Sequence, residues 1–195
     1  MQKNNTTRMS KTSFSEEIKK IRTNLKFSSI NEELRVICIT SSLPGEGKSR
    51  ISANLAASFS QNGEKVLLID CDLRKGHQKK LFNIPENEEL GLSKLLINKE
   101  WEKEYKKYII PTKIQNLSVL PTGIYPPNPS ELLSNLRFAH LIKKLRNDYD
   151  TIILDCPPVE GLSDALVVST LADKTVIIAK YKSTPLKLLE KSKRS

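Results

Sequence analysis

The sequence predicts an α/β fold in which a mostly parallel β-sheet lies between two layers of helices, a three-layer α/β/α arrangement. Two observations support this prediction. Short runs such as residues 36–39 and 66–69 are apolar throughout, which is typical of parallel strands buried on both faces. Between such runs lie segments in which apolar residues recur at the helical spacing of three and four, so strands and helices alternate along the chain.

One domain is expected to account for nearly the whole chain. A length of 195 residues suits a single core, and 38% hydrophobic with 28% charged residues is ordinary for a globular protein. Residues 1–13 are polar and are predicted to form a flexible tail, with the domain spanning residues 14–195. The tail has no apolar stretch of a secretory signal, and no apolar run is long enough to span a bilayer, so a cytoplasmic location is expected.

The elements follow from the periodicity of the apolar residues. Apolar, β-rich runs predict strands at residues 34–40, 65–70, 117–120, 151–154 and 175–179. Helical spacing predicts helices at residues 15–27, 49–61, 92–97, 130–146 and 163–172, with another that starts at Thr184. Ser130 follows a proline-rich stretch and is predicted to be the N-cap of its helix. Residues 73–90 are mixed and polar, and no long element is predicted there.

Cysteine content and charge narrow the class of function. Cys38, Cys71 and Cys156 have no metal-binding spacing and lie in or beside apolar runs, so buried, reduced thiols are predicted. The net charge of +10 is best explained by a solvated basic face, although an anionic membrane, an acidic protein surface and nucleic acid also fit it. Aromatic residues are not interleaved with the lysines as in proteins that bind single strands, so no nucleic-acid partner is expected.

A glycine-rich loop between the first strand and the next helix predicts a phosphate-binding P-loop, and with it a P-loop NTPase domain. Glycines let backbone N–H groups turn toward phosphate oxygens, and the helix N-terminus adds positive partial charge. Lys48 is predicted to reach the β- and γ-phosphates of ATP, and the Ser49 hydroxyl to ligate Mg²⁺. The standard pattern begins with glycine, where this chain has serine. The predicted ATP-binding residues are Ser42, Leu43, Pro44, Gly45, Glu46, Gly47, Lys48, Ser49 and Arg50.

Aspartates follow two of the predicted strands. Asp155 ends the strand at residues 151–154, which is the position where P-loop proteins hold Mg²⁺, directly or through water. Asp70 and Asp72 are two residues apart and point the same way in an extended chain, so they repel each other unless a cation or a proton lies between them. The alternative is a solvated acidic turn. A bound Mg·ATP supplies that cation, and one carboxylate can then accept the proton of an attacking hydroxyl or water.

Three strings of the sequence together resemble one protein family. Residues 70–75 read Asp-Cys-Asp-Leu-Arg-Lys, residues 155–158 read Asp-Cys-Pro-Pro, and residues 126–133 read Pro-Pro-Asn-Pro-Ser-Glu-Leu-Leu. These strings match the Walker A′ motif, the Walker B motif and a hallmark segment of the bacterial tyrosine kinases of capsule and exopolysaccharide export. The chain resembles that family over residues 14–182, and the family's fold is similar to that of the MinD and ParA ATPases.

The resemblance implies a kinase that uses ATP and Mg²⁺ to phosphorylate protein tyrosines. It implies the catalytic residues Lys48, Asp70, Asp72 and Arg74 and the Mg²⁺ ligands Ser49, Asp72 and Asp155. Either Asp70 or Asp72 would activate the tyrosine hydroxyl for in-line attack on the γ-phosphorus. Leu43 occupies the place of the signature lysine of the MinD and ParA group, which favours the kinase branch.

The resemblance also implies partners. A separate transmembrane activator, a polysaccharide co-polymerase, would recruit the protein to the inner face of the cell membrane. Glu16, Lys19 and Arg22 match the self-association motif Glu-x-x-Arg-x-x-Arg with lysine at its second position, which implies a homo-oligomer. Gly76 stands where the family has proline. The family's C-terminal tyrosine cluster would lie beyond Ser195, so a truncated chain is expected.

Three functions fit these residues. The first is a tyrosine kinase that regulates capsule or exopolysaccharide synthesis and export together with its membrane activator. The second is an ATPase switch like MinD and ParA, and the third is a nucleotide-gated scaffold without turnover. Leu43 and the Pro-Pro-Asn-Pro string favour the first function. The five tyrosines are scattered through the chain, which favours the second function or a kinase that acts only on other proteins.

Overall fold

The predicted α/β class is confirmed by the computed structural model, which describes residues 11–29, 33–85, 87, 90–160 and 163–194. Within these residues a six-stranded sheet has the order β3-β4-β2-β5-β1-β6. Every neighbouring pair is parallel except β3 and β4, which are antiparallel at one edge. The strands are β1 (Val36–Ser41), β2 (Val66–Asp70), β3 (Ile110–Pro111), β4 (Leu117–Leu120), β5 (Thr151–Asp155) and β6 (Lys174–Ile178).

Helices connect the parallel strands and cover both faces of the sheet. A 3-10 helix (Tyr105–Tyr108) lies before β3. The α-helices of the described residues are α1 (Lys11–Phe27), α2 (Lys48–Gln61), α3 (Gln78–Leu81), α4 (Leu92–Ile97), α5 (Trp101–Glu104), α6 (Pro129–Ser134), α7 (Leu136–Leu145), α8 (Asp164–Ser169) and α9 (Leu186–Arg194). Within this part of the chain, no helix combines the length and the apolar character that crossing a membrane requires.

Two apolar clusters sandwich the sheet, because successive side chains of a strand point to opposite faces. Ile37 and Ile39 of β1 pack with α1 and α2 in one cluster. Val36 and Cys38 of the same strand pack with α4, α5, α7 and α8 in the other. The three cysteines are buried and unpaired, as predicted, and the sulfurs of Cys38 and Cys156 lie 3.4 Å apart.

The predicted helix at residues 130–146 is wrong in its continuity and in its cap. It is two helices, α6 and α7, separated at Asn135, whose ψ of 137° is extended and whose side chain accepts a hydrogen bond from the Arg137 amide to cap α7. The N-cap of α6 is Asn128, so Ser130 lies inside the first turn. The Ser130 hydroxyl instead donates to the carboxylate of Asp164.

Other boundaries also differ from the prediction. The first helix begins at Lys11 rather than at residue 15, so residues 11–13 belong to it; residues 1–10, the rest of the predicted tail, lie outside the described residues. The last helix begins at Leu186, after Pro185, whose fixed φ suits a helix start. The sequence did not predict the short elements α3, α5, the 3-10 helix and β3.

A carboxylate fastens the start of β1 to the loop before β6. Asp173 accepts hydrogen bonds from the amides of Arg35 and Val36 at 2.8 and 2.7 Å, and from the guanidinium of Arg146 at 2.6 Å. Burial raises the pKa of Asp173, but the bonds from Arg146 and the two amides outweigh it and leave the pKa below its usual value. Asp173 therefore stabilises the fold as an anion.

Asp173→Asn is expected to lower the free energy of unfolding by about 1–2 kcal/mol at neutral pH, because the charge-assisted bonds to Arg146 are lost from a partly exposed pair. Since the pKa is lowered in the folded state, this contribution is present above about pH 4 and disappears as the pH falls below it. Urea unfolding at neutral and acidic pH measures both effects, and equal stability of the two proteins at pH 7 would contradict the assignment.

Candidate functional site

The P-loop lies between β1 and α2, at the carboxyl edge of the sheet. Gly45 and Gly47 have φ angles of 79° and 91°, which side chains rarely tolerate. A Cβ atom added at either glycine would meet nothing within 4 Å, so open space lies over the loop backbone. The loop and the N-terminus of α2 therefore form a cradle that can accept an anion of phosphate size.

A cavity of about 530 Å³ opens beside the loop. Its wall is rich in cations and also contains apolar prolines. The lining residues are Pro44, Gly45, Gly47, Lys48, Ser49, Arg50, Asp72, Arg74, Lys75, His77, Lys80, Leu81, Pro157 and Pro158. The predicted residues Lys48, Ser49, Asp72 and Arg74 thus come together from two separate segments of the chain, the P-loop with the start of α2 and the loop after β2.

A buried ion pair lies at this cavity. The ammonium of Lys48 donates to the carboxylate of Asp72 at 3.0 Å, and their side chains are only 9% and 7% exposed. Burial lowers the pKa of Lys48, but the negative charges of Asp155 and Asp72 outweigh burial and raise it. The ammonium stays charged, as binding a phosphate requires.

Asp155 lies deeper than the cavity wall. It is fully buried at the end of β5, where one carboxylate oxygen accepts from the Ser52 hydroxyl at 3.1 Å and the other from the Gln78 amide at 2.7 Å. Burial raises its pKa, an effect that the charge of Lys48 only partly offsets. The predicted Mg²⁺ ligand Asp155 is therefore close to α2 but is not among the residues that line the cavity.

Asp70 is the neighbour of Asp155 in the sheet, because the two residues are paired in register across β2 and β5. One carboxylate oxygen of Asp70 accepts a hydrogen bond from the backbone N–H of Gln78 at 2.9 Å. The other lies 3.3 Å from the backbone N–H of Asp72. Burial and the charge of Asp155 raise the pKa of Asp70 to about 7. Asp70 and Asp72 differ in their access to the cavity, because Asp72 lines it and the buried Asp70 does not.

Gln78 is a site residue that the sequence did not reveal. Its side-chain nitrogen donates to Asp155 and to the carbonyl of Ser49 at 3.1 Å, while its side-chain oxygen is buried and has no hydrogen-bond partner among the described residues. An unpaired buried oxygen is costly unless a water or an ion completes it. Gln78 lies in a mixed polar stretch of the sequence without apolar periodicity, so no sequence pattern indicated its role.

The local structure explains why position 76 is a glycine. A Cβ atom at this position would lie 2.0 Å from the Thr122 hydroxyl oxygen and 2.8 Å from a carboxylate oxygen of Asp70. A larger residue would push one of these groups away. The glycine found where the resemblance leads one to expect proline is thus required by the contact between the loop after β2 and the loop after β4.

The donor set fits Mg²⁺ held together with phosphates. No group of three or more His, Cys, Asp or Glu side chains among the described residues is arranged to hold a metal by itself. Magnesium is usually bound by one or two carboxylates together with substrate phosphates and water. The Ser49 hydroxyl, the carboxylates of Asp72 and Asp155 and the unpaired oxygen of Gln78 provide hard oxygen atoms of that kind.

Three predicted loop residues do not line the cavity but hold the loop in place. The Glu46 carboxylate accepts from the Leu43 amide at 2.8 Å, from the Thr184 hydroxyl and from the Lys180 amide at 3.3 Å. The Ser42 hydroxyl is within 3.2 Å of the Ser192 hydroxyl in α9. The segment after β6 is therefore bonded to the outer side of the P-loop.

The remaining predicted residues divide into two groups. Arg50 lines the cavity and lies over the ring of Phe14 at 5.4 Å. On α1, Glu16 and Lys19 form an exposed pair at 2.8 Å. Arg22 does not continue this solvated row, because its guanidinium donates to the carbonyl of Ser58 in α2 at 2.5 Å.

Sequence comparisons place the chain among nucleotide-dependent enzymes. The AAA domain model AAA_31 matches residues 34–190. CapB of Staphylococcus aureus is 40% identical over 168 residues, which are 86% of this chain and 72% of CapB. The tyrosine-protein kinase Wzc of Salmonella typhimurium is 40% identical over 91% of this chain, but the match spans only 24% of Wzc.

Solved structures share the fold. The kinase domain of the Escherichia coli tyrosine kinase ETK superposes with a TM-score of 0.87 at 34% identity, covering 93% of this chain and 69% of that domain. MinD of Pyrococcus horikoshii, solved with Mg-ADP, superposes with a TM-score of 0.61 at 25% identity, covering 75% of this chain and 58% of MinD. The predicted P-loop NTPase fold is therefore confirmed.

Asp70→Asn is expected to change how stability depends on pH. Because the pKa of Asp70 is about 7 in the folded chain and lower in the unfolded chain, the protonated carboxyl stabilises the fold below about pH 4, and this contribution is lost as the pH rises through 7. Asparagine stays neutral at every pH. The difference in unfolding free energy between the two proteins should therefore shift in favour of the variant between about pH 4 and pH 8.

Urea unfolding without nucleotide or Mg²⁺ measures this difference, with Asp173→Asn as the control. The pKa of Asp173 is lowered rather than raised, so its variant should show no such shift above about pH 5. A pH-independent difference between wild type and Asp70→Asn would show that Asp70 is ionised in the nucleotide-free fold.

Proposed function

We propose that this chain, which belongs to the AAA domain family and to the bacterial tyrosine-protein kinases, binds Mg·ATP on its P-loop and transfers the γ-phosphoryl group to protein tyrosines. The observation that carries this proposal is the buried Lys48–Asp72 pair beside open P-loop glycines. An incoming phosphate competes for the Lys48 ammonium. Asp72 is then released from its ion pair at the wall of the cavity.

The residues have distinct roles in this reaction. The loop amides and Lys48 bind the phosphates, and Ser49, Asp72 and Asp155 hold Mg²⁺, which neutralises phosphate charge when it is bound. The tyrosine oxygen attacks the γ-phosphorus as the bond to the bridging oxygen of ADP breaks. The hydroxyl proton passes to a carboxylate, either Asp72 at the cavity or Asp70 beneath it, whose pKa of about 7 suits a proton acceptor at neutral pH.

The relatives CapB and Wzc support a proposal about the cellular system in which this chain acts. The matched region forms about a quarter of Wzc and most of CapB, so we propose that this chain supplies the catalytic domain of a system for capsule or exopolysaccharide synthesis and export. In this proposal a separate transmembrane activator recruits it to the inner face of the membrane. The basic net charge of +10 favours such a location next to anionic lipid.

Self-association through α1 belongs to the same proposal, with a changed set of residues. Glu16 and Lys19 are exposed and available to a neighbouring copy. Arg22 is bound to Ser58 and must break that contact in order to reach a partner. An interface that uses Glu16 and Lys19 is therefore favoured over one that needs all three residues.

Lys48→Met is expected to abolish transfer from Mg·ATP to a glutamate–tyrosine copolymer, because no other buried ammonium lines the cavity among the described residues. A loss of at least about a hundredfold in kcat/KM is expected, as for removal of a main charge-stabilising group. Phosphotyrosine is measured with labelled ATP and by mass spectrometry.

Lys143→Met is the matched control, since Lys143 lies on the exposed side of α7, and it should behave as the wild type. Release of inorganic phosphate at the same rate with and without copolymer, and with no phosphotyrosine formed, would contradict the kinase function. That result would support an ATPase switch instead.

A further inference from the structure

We propose that Asp164, together with Ser130, is a positioning residue that holds the guanidinium of Arg74 toward the transferring phosphoryl group. This inference rests on the proposed phosphoryl transfer. It assigns a role to the Pro-Pro-Asn-Pro-Ser-Glu string, which no part of the proposed reaction uses so far. It also assigns a role to a buried aspartate that no sequence motif marked.

The three side chains form a closed set of hydrogen bonds. The Nε of Arg74 donates to Oδ2 of Asp164 at 2.8 Å, and its Nη2 lies 3.5 Å from Oδ1 of Asp164 and 3.2 Å from the hydroxyl of Ser130. The Ser130 hydroxyl donates in turn to Oδ1 of Asp164. A guanidinium held along one edge by a carboxylate and a hydroxyl has a fixed plane and direction.

Burial makes Asp164 the rigid member of this set. The side chain of Asp164 is fully buried at the first residue of α8, whereas that of Arg74 is 39% exposed. Burial raises the pKa of Asp164, but the bonds from Arg74 and Ser130 outweigh burial and lower it. Asp164 is therefore an anion whose position is set by α8, and Arg74 is the part that extends into solvent.

One edge of the Arg74 guanidinium remains open to a ligand. Arg74 lines the same cavity as the P-loop and Asp72. Its Nε and Nη2 are engaged by Asp164 and Ser130, and within the described residues no hydrogen bond involves Nη1. The backbone N–H of Arg74 also donates a hydrogen bond to the carboxylate of Asp72, at an N–O distance of 3.3 Å. Donors on the remaining edge are available to a phosphate oxygen beside Lys48.

The hallmark string explains how Ser130 reaches this place. Pro129 begins α6 and is buried, and Asn128 is the N-cap residue, so Ser130 lies in the first turn of the helix. The helix α6 packs against α8. The string thus delivers one hydroxyl to the buried carboxylate that orients Arg74.

The inference predicts a loss that is specific to the transition state. Asp164→Asn keeps the shape of the side chain but weakens its hold on Arg74. We expect kcat for copolymer phosphorylation to fall by about tenfold or more, while KM for ATP changes by less than about twofold. Ser130→Ala should give a smaller fall in kcat, because it removes one neutral partner of the set. Asp164→Glu keeps the charge and should recover part of the activity.

A binding measurement tests the same point without turnover. Aluminium fluoride with Mg·ADP mimics the transferring phosphoryl group, whereas Mg·ADP alone does not. Asp164→Asn should weaken binding of Mg·ADP·aluminium fluoride by about tenfold and leave Mg·ADP within about twofold of the wild type. If both ligands are weakened equally, or neither is, Asp164 does not act through the phosphoryl group and the inference is wrong.

A double variant separates positioning from packing. If Asp164 acts through Arg74, adding Asp164→Asn to Arg74→Ala should lower kcat no further than Arg74→Ala alone, although thermal stability still falls. A further fall in kcat would overturn the inference. The control is Asp173→Asn, which breaks another Asp–Arg pair but should leave kcat unchanged.

Failure of the proposed function gives a different result. A wild-type protein that binds Mg·ADP and its aluminium fluoride complex but phosphorylates no tyrosine would contradict the kinase function alone, and the binding test of Asp164 would still stand. A wild-type protein that binds neither ligand would contradict both proposals.

Discussion

Charge buried at the carboxyl edge of a parallel sheet is the constraint on which the rest of this structure depends. Asp70 and Asp155 end two adjacent strands and are paired in register, so two buried carboxylates are forced to be neighbours. Such a pair is costly unless a proton or a cation compensates for it. Lys48 supplies positive charge from α2, since it is paired with Asp72 and its pKa is raised most by the negative charge of Asp155. The pKa of Asp70, raised to about 7, favours a proton on that carboxyl below neutral pH.

The surrounding elements follow from this need. Ser52 and Gln78 each donate a hydrogen bond to one carboxylate oxygen of Asp155. Because these residues belong to α2 and α3, both helices must approach the end of β5. Gly76 leaves no room for a side chain beside Asp70 and Thr122, and the backbone N–H of Gln78 joins the start of α3 to Asp70. A bound Mg²⁺ would add positive charge next to the carboxylates of Asp72 and Asp155, which share the charge of Lys48. Binding a cation together with phosphates is therefore expected to stabilise the site.

The sequence predicted the parts that depend on local pattern. Strand positions, the P-loop and the aspartates at strand ends could be found because periodicity and short motifs encode them. It did not predict the break at Asn135, since both halves of that segment carry apolar residues at helical spacing and a single extended residue separates them. The roles of Gln78, Ser130 and Asp164 could not be predicted, for another reason. Each acts through a partner distant in the chain, and only the sheet topology brings the partners together.

The P-loop is held from two sides, which bears on how the chain after β6 affects the site. On the inner side, the carbonyl of Ser49 accepts a hydrogen bond from the side chain of Gln78, and the hydroxyl of Ser52 in α2 donates to the buried carboxylate of Asp155. On the outer side, Glu46 accepts hydrogen bonds from Thr184 and Lys180, and Ser42 lies against Ser192 of α9. A shift of the segment after β6 would therefore pull on Glu46 through Lys180 and Thr184 and on Ser42 through Ser192, although none of the described side chains of α9 lines the cavity. The conformation of the P-loop is therefore shared between the bonds on its inner side, where Ser49 also lines the cavity, and the bonds on its outer side.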